Sequence, residues 1–192
     1  MKKFLKKLIY VSFIFVCFFE IKQVHSLIPY YYLPTKKNLE REAFSIGKNA
    51  YQLLYFGQYE QSLNMAKLAV KINENDEKLW LILSEAQVAN KLYKNALTSL
   101  NKAQEINPNN SETYILEGNI YLKTSKLQKA KTSLESALRI ESSNYKAIFQ
   151  LGNILLMEKN YSEAIKLFDQ SVKIKPDFWQ AINNTGLAYF EK

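Results

Sequence analysis

The sequence has 192 residues, a formal net charge of +8 and a hydrophobic content of 47%, which suits one globular domain or a short array of repeats. Its five glycines and four prolines are too few for an all-strand chain that turns about every ten residues, so the composition favours helices. Lysine and glutamate are interspersed along most of the chain instead of concentrating cations in one segment. This pattern disfavours nucleic acid as a partner.

The N-terminus begins with a cationic segment, MKKFLKK, followed by an uncharged apolar run from Leu8 to Phe19. As a helix, this run would span about 18 Å of a hydrocarbon core about 30 Å thick, which is too short for a membrane span but typical of a secretory signal. Val24 and Ser26 lie at the −3 and −1 positions of a candidate cleavage site. We predict that residues 1–26 form a signal peptide and that the mature, soluble, exported chain begins at Leu27. A retained membrane anchor is the main alternative.

The only cysteine, Cys17, and the only histidine, His25, both lie in this N-terminal segment. The rest of the chain therefore lacks the side chains of a Ser-His-Asp triad, a Cys-His nucleophile or a zinc site of the usual ligands. Its carboxylates are scattered rather than clustered, which argues against an active site built from carboxylates alone. We expect no enzymatic activity, no cofactor and no metal site.

A repeat of fixed period begins after a linker and lead-in at 27–42. Gly118 and Gly152 are one period apart, as are Ala130 and Ala164. Full units fall at 43–76, 77–110, 111–144 and 145–178, and a partial unit at 179–192. Each full unit contains two segments whose apolar residues recur at three- and four-residue spacing, which predicts two helices joined by a turn. Small residues recur in the first segment, at Ala50, Ser84, Gly118, Gly152 and Gly186.

With a large apolar residue, a small one, an aromatic, two alanines and a proline at these offsets, the sequence resembles the tetratricopeptide repeat family, whose unit is about 34 residues long. The resemblance covers four full units and the first helix of a fifth. It implies an all-α fold, a solenoid of antiparallel helix pairs that winds into a right-handed superhelix. Glu74 and Ser142 stand where a proline is expected, so the helix boundaries at these two positions remain open.

The last segment, 179–192, predicts one helix with no second helix to cover it. Such a helix would expose Ile182, Tyr189 and Phe190. It is either a cap, part of a longer array, or a surface covered by another subunit. We favour the longer array, because a cap ordinarily has a more polar outer face.

The resemblance also implies a binding surface, because the first helices line the concave wall of tetratricopeptide arrays. Carried over residue by residue, the candidate groove residues are Tyr51, Tyr55, Glu85, Val88, Asn119, Leu122, Lys146, Phe149, Asn153, Leu156 and Asn183. The asparagines offer donors and acceptors to the backbone of an extended ligand, or alternatively bridge neighbouring helices or face water. We interpret Tyr51, Tyr55 and Phe149 as packing residues rather than dedicated anchors.

From these features we expect a protein-interaction scaffold that binds a peptide segment or helix of a partner protein. Related repeat proteins make assembly or maturation of a membrane or envelope complex the expected setting, and the N-terminal segment is a candidate for membrane association. The alternative function is a structural homo-oligomer that assembles through the uncovered C-terminal helix. The sequence does not identify the partner.

Overall fold

The structure is a computed structural model, and it describes residues 35–192. The predicted signal peptide or anchor at 1–26, and residues 27–34 of the predicted lead-in, lie outside the described residues. Over residues 35–192 the chain forms nine α-helices and no strand, which confirms the all-α prediction. The helices are α1 (Lys36–Tyr55), α2 (Tyr59–Ile72), α3 (Glu77–Ala89), α4 (Tyr93–Ile106), α5 (Ser111–Lys123), α6 (Leu127–Ile140), α7 (Tyr145–Met157), α8 (Tyr161–Ile174) and α9 (Trp179–Glu191).

Short turns join the two helices of each unit, and each turn contains one residue with a left-handed backbone. These residues recur once per period: Gly57 (φ 73°), Lys91 (φ 60°), Ser125 (φ 57°) and Lys159 (φ 61°). A left-handed residue after a helix directs the chain back on itself. Only the first turn uses glycine, which adopts this conformation without steric cost.

Polar side chains fix where three of the first helices begin. Asp76, Asn110 and Asn144 precede α3, α5 and α7 and accept hydrogen bonds from backbone N–H groups in the first turn, at 2.9, 3.0 and 3.1 Å. These caps satisfy N–H groups that have no partner within the helix. Helices α3 and α7 therefore begin cleanly, although no proline stands in the preceding turn. Helix α1 begins at Lys36, so the predicted lead-in is already helical before residue 43.

Residues 40–192 form one compact unit, and its core depends on small residues in the first helices. A Cβ atom added to Gly118 would lie 2.9 Å from Leu134, and one added to Gly152 would lie 2.6 Å from the ring of Phe168. Both of these large side chains are completely buried. Glycine thus allows each first helix to approach the second helix of its own unit closely enough for a large side chain to fill the gap.

The last helix, α9, is buried on one face only. Ala181 and Ala188 face the core at 0% exposure, whereas Ile182, Tyr189 and Phe190 are exposed, as the pattern predicts. A Cβ atom added to Gly186 would have no neighbour within 4 Å. Helix α9 therefore presents an apolar surface to solvent. Among residues 35–192 no helix is both long and apolar enough to cross a lipid bilayer.

Candidate peptide-binding groove

The first helices place one side chain of each unit at a common register position. This position holds Tyr51, Glu85, Asn119, Asn153 and Leu187, each one period from the next. Because stacked units repeat the same geometry, side chains at one register position form a row along the array. The three central members are polar and carry hydrogen-bond acceptors. We call Glu85, Asn119 and Asn153 the polar row.

A cavity of ≈ 620 Å³ lies between α3, α5, α7 and the start of α9. Four of the predicted residues line it: Glu85, Asn119, Lys146 and Phe149. A second cavity of ≈ 310 Å³ is lined by Val88, also predicted, and by other residues of α1, α3, α5 and the start of α2. Glu85, Leu116 and Asn119 line both cavities, so the two adjoin at these three residues. We call the two cavities together the groove.

The remaining predicted residues do not line the groove. Tyr51 and Tyr55 lie on α1 with 55% and 85% of their surfaces exposed. Leu122 and Leu156 are partly buried and pack against clusters of core side chains. Asn183 is exposed on α9, and Asn153 lines neither cavity. The predicted wall is therefore gathered into a cavity only in its middle part, from α3 to α7.

Asn153 uses its amide to bridge helices. Its Nδ2 donates to Gln150 Oε1 at 2.8 Å, and its Oδ1 accepts from Asn184 Nδ2 at 2.7 Å. The second bond joins α7 to α9, between residues 31 positions apart in the sequence. Asn153 thus bridges neighbouring helices, which is one of the roles predicted for these asparagines. The bridging partner on α9 is Asn184. Its neighbour Asn183 is the residue that was predicted to line the groove.

The same spacing gives no such bridge for the other two members of the polar row. Gln150 stands in the same place relative to Asn119 as Asn184 does relative to Asn153, but its Oε1 is engaged by Asn153 within α7. The buried Oδ1 of Asn119 has no hydrogen-bond partner among the described residues. Leu116 occupies the corresponding place for Glu85 and offers no side-chain donor. In the part of the chain that the structure describes, the carboxylate of Glu85 makes no hydrogen bond or ion pair.

Charges around the larger cavity are unevenly matched. Burial raises the pKa of Glu85, and the nearby carboxylate of Glu112 raises it further, whereas Lys146 opposes both effects. Lys146 itself pairs with Glu112, with its Nζ 3.3 Å from Oε1. Lys175 lies over the ring of Tyr145, with its Nζ 5.2 Å from the ring centre. Glu85 is therefore a partly buried acid whose charge no neighbouring side chain pairs directly.

An aromatic cluster forms one side of the larger cavity. The ring centre of Phe149 lies 4.9 Å from that of Phe178 and 5.6 Å from that of Phe168, and Phe178 lies 5.0 Å from Tyr145. Phe149 is only 9% exposed, so most of its surface serves packing. Phe178 is not among the predicted groove residues, although it stands where Asp76, Asn110 and Asn144 cap three of the other first helices. The loss of a capping residue at this position was the available signal.

From α2 onward the helices are 13 or 14 residues long, and a turn of fixed backbone conformation joins the two helices of each unit. With the groove along the first helices, these features define a helical-repeat solenoid of the tetratricopeptide type. Residues 59–185, which are more than half of the chain, match the family model of the tetratricopeptide repeat protein 21 C-terminal ARM domain. The chain belongs to this family. The predicted tetratricopeptide-repeat assignment is confirmed.

Solved structures agree with this fold. The protein TTC0263, a thermophilic TPR protein in Thermus thermophilus, is 20% identical with a TM-score of 0.71, and the alignment covers 81% of this chain and 89% of that one. MamA is 22% identical with a TM-score of 0.62, covering 81% and 83%. YrrB, a TPR protein with an unusual peptide-binding site, is 22% identical with a TM-score of 0.56, covering 80% and 79%. No curated protein matches the chain.

Proposed function

We propose that the protein is a non-catalytic interaction scaffold that binds a segment of a partner protein in the groove. The observation that carries this proposal is the open cavity of ≈ 620 Å³, whose wall includes the Oδ1 atom of Asn119, which is buried and has no hydrogen-bond partner within residues 35–192. An unpaired buried acceptor costs free energy that a ligand's donor offsets. The described residues also contain no cluster of His, Cys, Asp or Glu suited to a metal ion.

An extended peptide suits this groove better than a compact small molecule. The backbone N–H groups of a bound peptide need acceptors once water is displaced, and Glu85 and Asn119 of the polar row provide them. Leu116 and Val88 lie beside Asn119 and Glu85 and offer apolar surface to the side chains of the peptide. YrrB, which shares the fold, is described as having a peptide-binding site, and this supports the same class of ligand here.

The cellular setting is a further part of the proposal. The cationic start and apolar run of residues 1–19 support export, or a tether to the membrane if the segment is retained. An exported or tethered scaffold of this kind would aid the assembly or maturation of a membrane or envelope complex. Mass spectrometry of the N-terminus in native soluble and membrane fractions distinguishes a mature chain beginning at Leu27 from a retained Met1.

Photo-cross-linking tests the groove directly. A photoreactive amino acid replaces Lys123, which lines the smaller cavity on α5, in the full-length chain expressed in its native cells. The matched control replaces Lys131, which is exposed on the second helix α6. We expect a discrete cross-linked protein from position 123 and none from position 131. Equal cross-linking from both positions, or from neither, would contradict binding in the groove.

A structural homo-oligomer is the second candidate function, and the apolar surface of α9 supports it. Trp179, Tyr189 and Phe190 are 65%, 61% and 85% exposed, and burying such side chains between two copies would stabilise an oligomer. Sedimentation velocity over a range of concentrations is the test. A sedimentation coefficient that rises with concentration, and that no longer rises in Ile182→Glu, would favour this function. A constant monomeric value would exclude it.

A further inference from the structure

Two acceptors of the polar row stand side by side without partners. Glu85 and Asn119 both line both cavities. The Oδ1 of Asn119 is buried and unpaired within residues 35–192, and no hydrogen bond or ion pair is formed by the Glu85 carboxylate in the same range. Asn153, the third member, is satisfied by Gln150 and Asn184. The groove therefore has a specific place where hydrogen-bond donors are missing.

The missing donor is expected to be cationic. A neutral N–H group satisfies an amide oxygen, but a partly buried carboxylate gains most from a positive charge that also donates hydrogen bonds. The cation next to Glu85 in the structure, Lys146, is already paired with Glu112. Lys175 lies over the ring of Tyr145, and Lys123 lines only the smaller cavity, where it is exposed.

The surroundings of the two acceptors also suit a long side chain. Leu116 lies beside both of them, and Ile115 and Phe149 line the larger cavity. Lysine and arginine bury their aliphatic stems against apolar surface while the charged end reaches a polar partner. An acidic side chain at the same place would meet the unpaired charge of Glu85 and the carboxylate of Glu112.

The geometry points to a partner segment that carries a lysine or arginine, whose charged end binds between Glu85 and Asn119 while its stem lies against Leu116. This inference rests on the proposed function and adds the chemical class of the residue that the groove selects. The formal net charge of the whole chain is +8, so long-range electrostatic repulsion disfavours a basic peptide. A preference for basic peptides would therefore reflect the local site.

A positional-scanning peptide library tests the inference. Each set of hexapeptides has one defined amino acid at one position. Two further sets have citrulline, which is nearly isosteric with arginine, or acetyl-lysine, which keeps the aliphatic stem of lysine; both lack the positive charge. We expect the full-length chain to bind the arginine and lysine sets about tenfold or more tightly than the uncharged sets, because a hydrogen-bonded charge is lost. Glu85→Gln should reduce this difference to less than about threefold.

The matched control is Glu135→Gln on the exposed side of α6, which removes an acid outside the groove and should keep the full preference. Helicity by circular dichroism checks that the variants fold, and the comparison of arginine with citrulline in the unmodified chain remains decisive if Glu85→Gln does not fold. Binding of peptides with equal affinity for the charged and uncharged sets would overturn the inference and leave the scaffold function standing. Failure to bind any peptide set would overturn both.

Discussion

Helices α7 and α9 occupy the same place in successive units, yet they differ in what covers them. In α7, Gly152 lies beneath the ring of Phe168, so that an added Cβ atom would be 2.6 Å away. In α9, Gly186 stands at the same register position with nothing within 4 Å. The repeat pattern therefore sets the position of a residue, whereas the neighbouring helix determines whether that position is buried.

The largest effect is expected from removing the side chain that covers α7. Phe168 is 0% exposed, so Phe168→Ala should lower the free energy of unfolding by about 3–5 kcal/mol through lost burial and the remaining cavity. Its counterpart is Phe190→Ala, because Phe190 on α9 is 85% exposed and should change the free energy by less than about 0.5 kcal/mol. Urea unfolding of the full-length chain measures both. Similar losses of unfolding free energy in the two variants would contradict the difference in burial between α7 and α9.

The two glycines should respond to alanine with opposite signs. Gly152→Ala forces a methyl group against the buried ring of Phe168 and should destabilise the fold by about 1–3 kcal/mol. Gly186→Ala meets open space and should stabilise the fold by about 0.5–1 kcal/mol, because alanine is the better residue inside a helix. We expect the urea midpoint of Gly152→Ala to lie below that of the unmodified chain and the midpoint of Gly186→Ala to lie above it. A loss of stability in Gly186→Ala would show that α9 is covered.

Removing a helix cap should have a smaller effect on stability, and α7 and α9 also differ in their caps. Asn144 accepts hydrogen bonds from the backbone N–H groups of Lys146 and Ala147 at the start of α7, at 3.1 and 3.2 Å, whereas α9 begins without a side-chain cap. Asn144→Ala should cost about 1 kcal/mol. Asn109→Ala, in an exposed turn where the Asn109 side chain caps no helix, is the control for the urea midpoint. Equal midpoints for these two variants would contradict the capping role.

The smallest expected effect on stability concerns Glu85 and depends on pH. Because burial and Glu112 raise the pKa of Glu85 in the folded state, folding favours the protonated form. The stabilising contribution of protonated Glu85 is fully present below the ordinary glutamate pKa of about 4.3. It is lost as the pH rises through the raised pKa of Glu85 in the folded state. Glu85→Gln removes this loss, so the urea midpoint of the variant should exceed that of the unmodified chain at pH 7 and approach it at pH 4.

That prediction needs a control for the loss of any acid. Glu135→Gln removes a carboxylate from the exposed side of α6 without touching the groove. A gain in midpoint at pH 7 that is equal in the two variants would assign the effect to net charge. A gain confined to Glu85→Gln would assign it to burial of this side chain.

Much of the fold was predictable from the sequence, because small and large residues recur at a fixed period and helices report their buried faces through spacing. The hydrogen-bond partners of the side chains in the polar row were harder to predict. Whether Asn119 or Asn153 finds a partner depends on side chains of the following unit, Gln150 and Asn184, and on which of several amides each one selects. Among the described residues, Glu85 has no hydrogen-bond partner in the following unit, because Leu116 occupies the corresponding place. Such outcomes depend on three-dimensional neighbours rather than on the residue type itself.

Phe178 and Asn183 are two further residues whose roles the repeat pattern does not determine. Phe178 was missed because a repeat pattern predicts a cap at that position, whereas packing against Tyr145 and Phe149 determines its role. Asn183 was carried over from the register of the wall, yet it is exposed and Asn184 makes the contact with Asn153. Register alone therefore locates the row but does not say which side chains in it remain open to a ligand.

The most direct measurement compares Asn119→Ala with Asn153→Ala in the full-length chain, recording both the urea midpoint and the cross-linking yield from position 123. The side-chain oxygen of Asn119 has no partner in the part of the chain that the structure describes, so its variant should lose most of the cross-link to the partner while keeping or raising the midpoint. Asn153 joins α7 to α9, so its variant should lower the midpoint. A lower midpoint with unchanged cross-linking in Asn119→Ala would make this side chain structural and would contradict a ligand-binding groove.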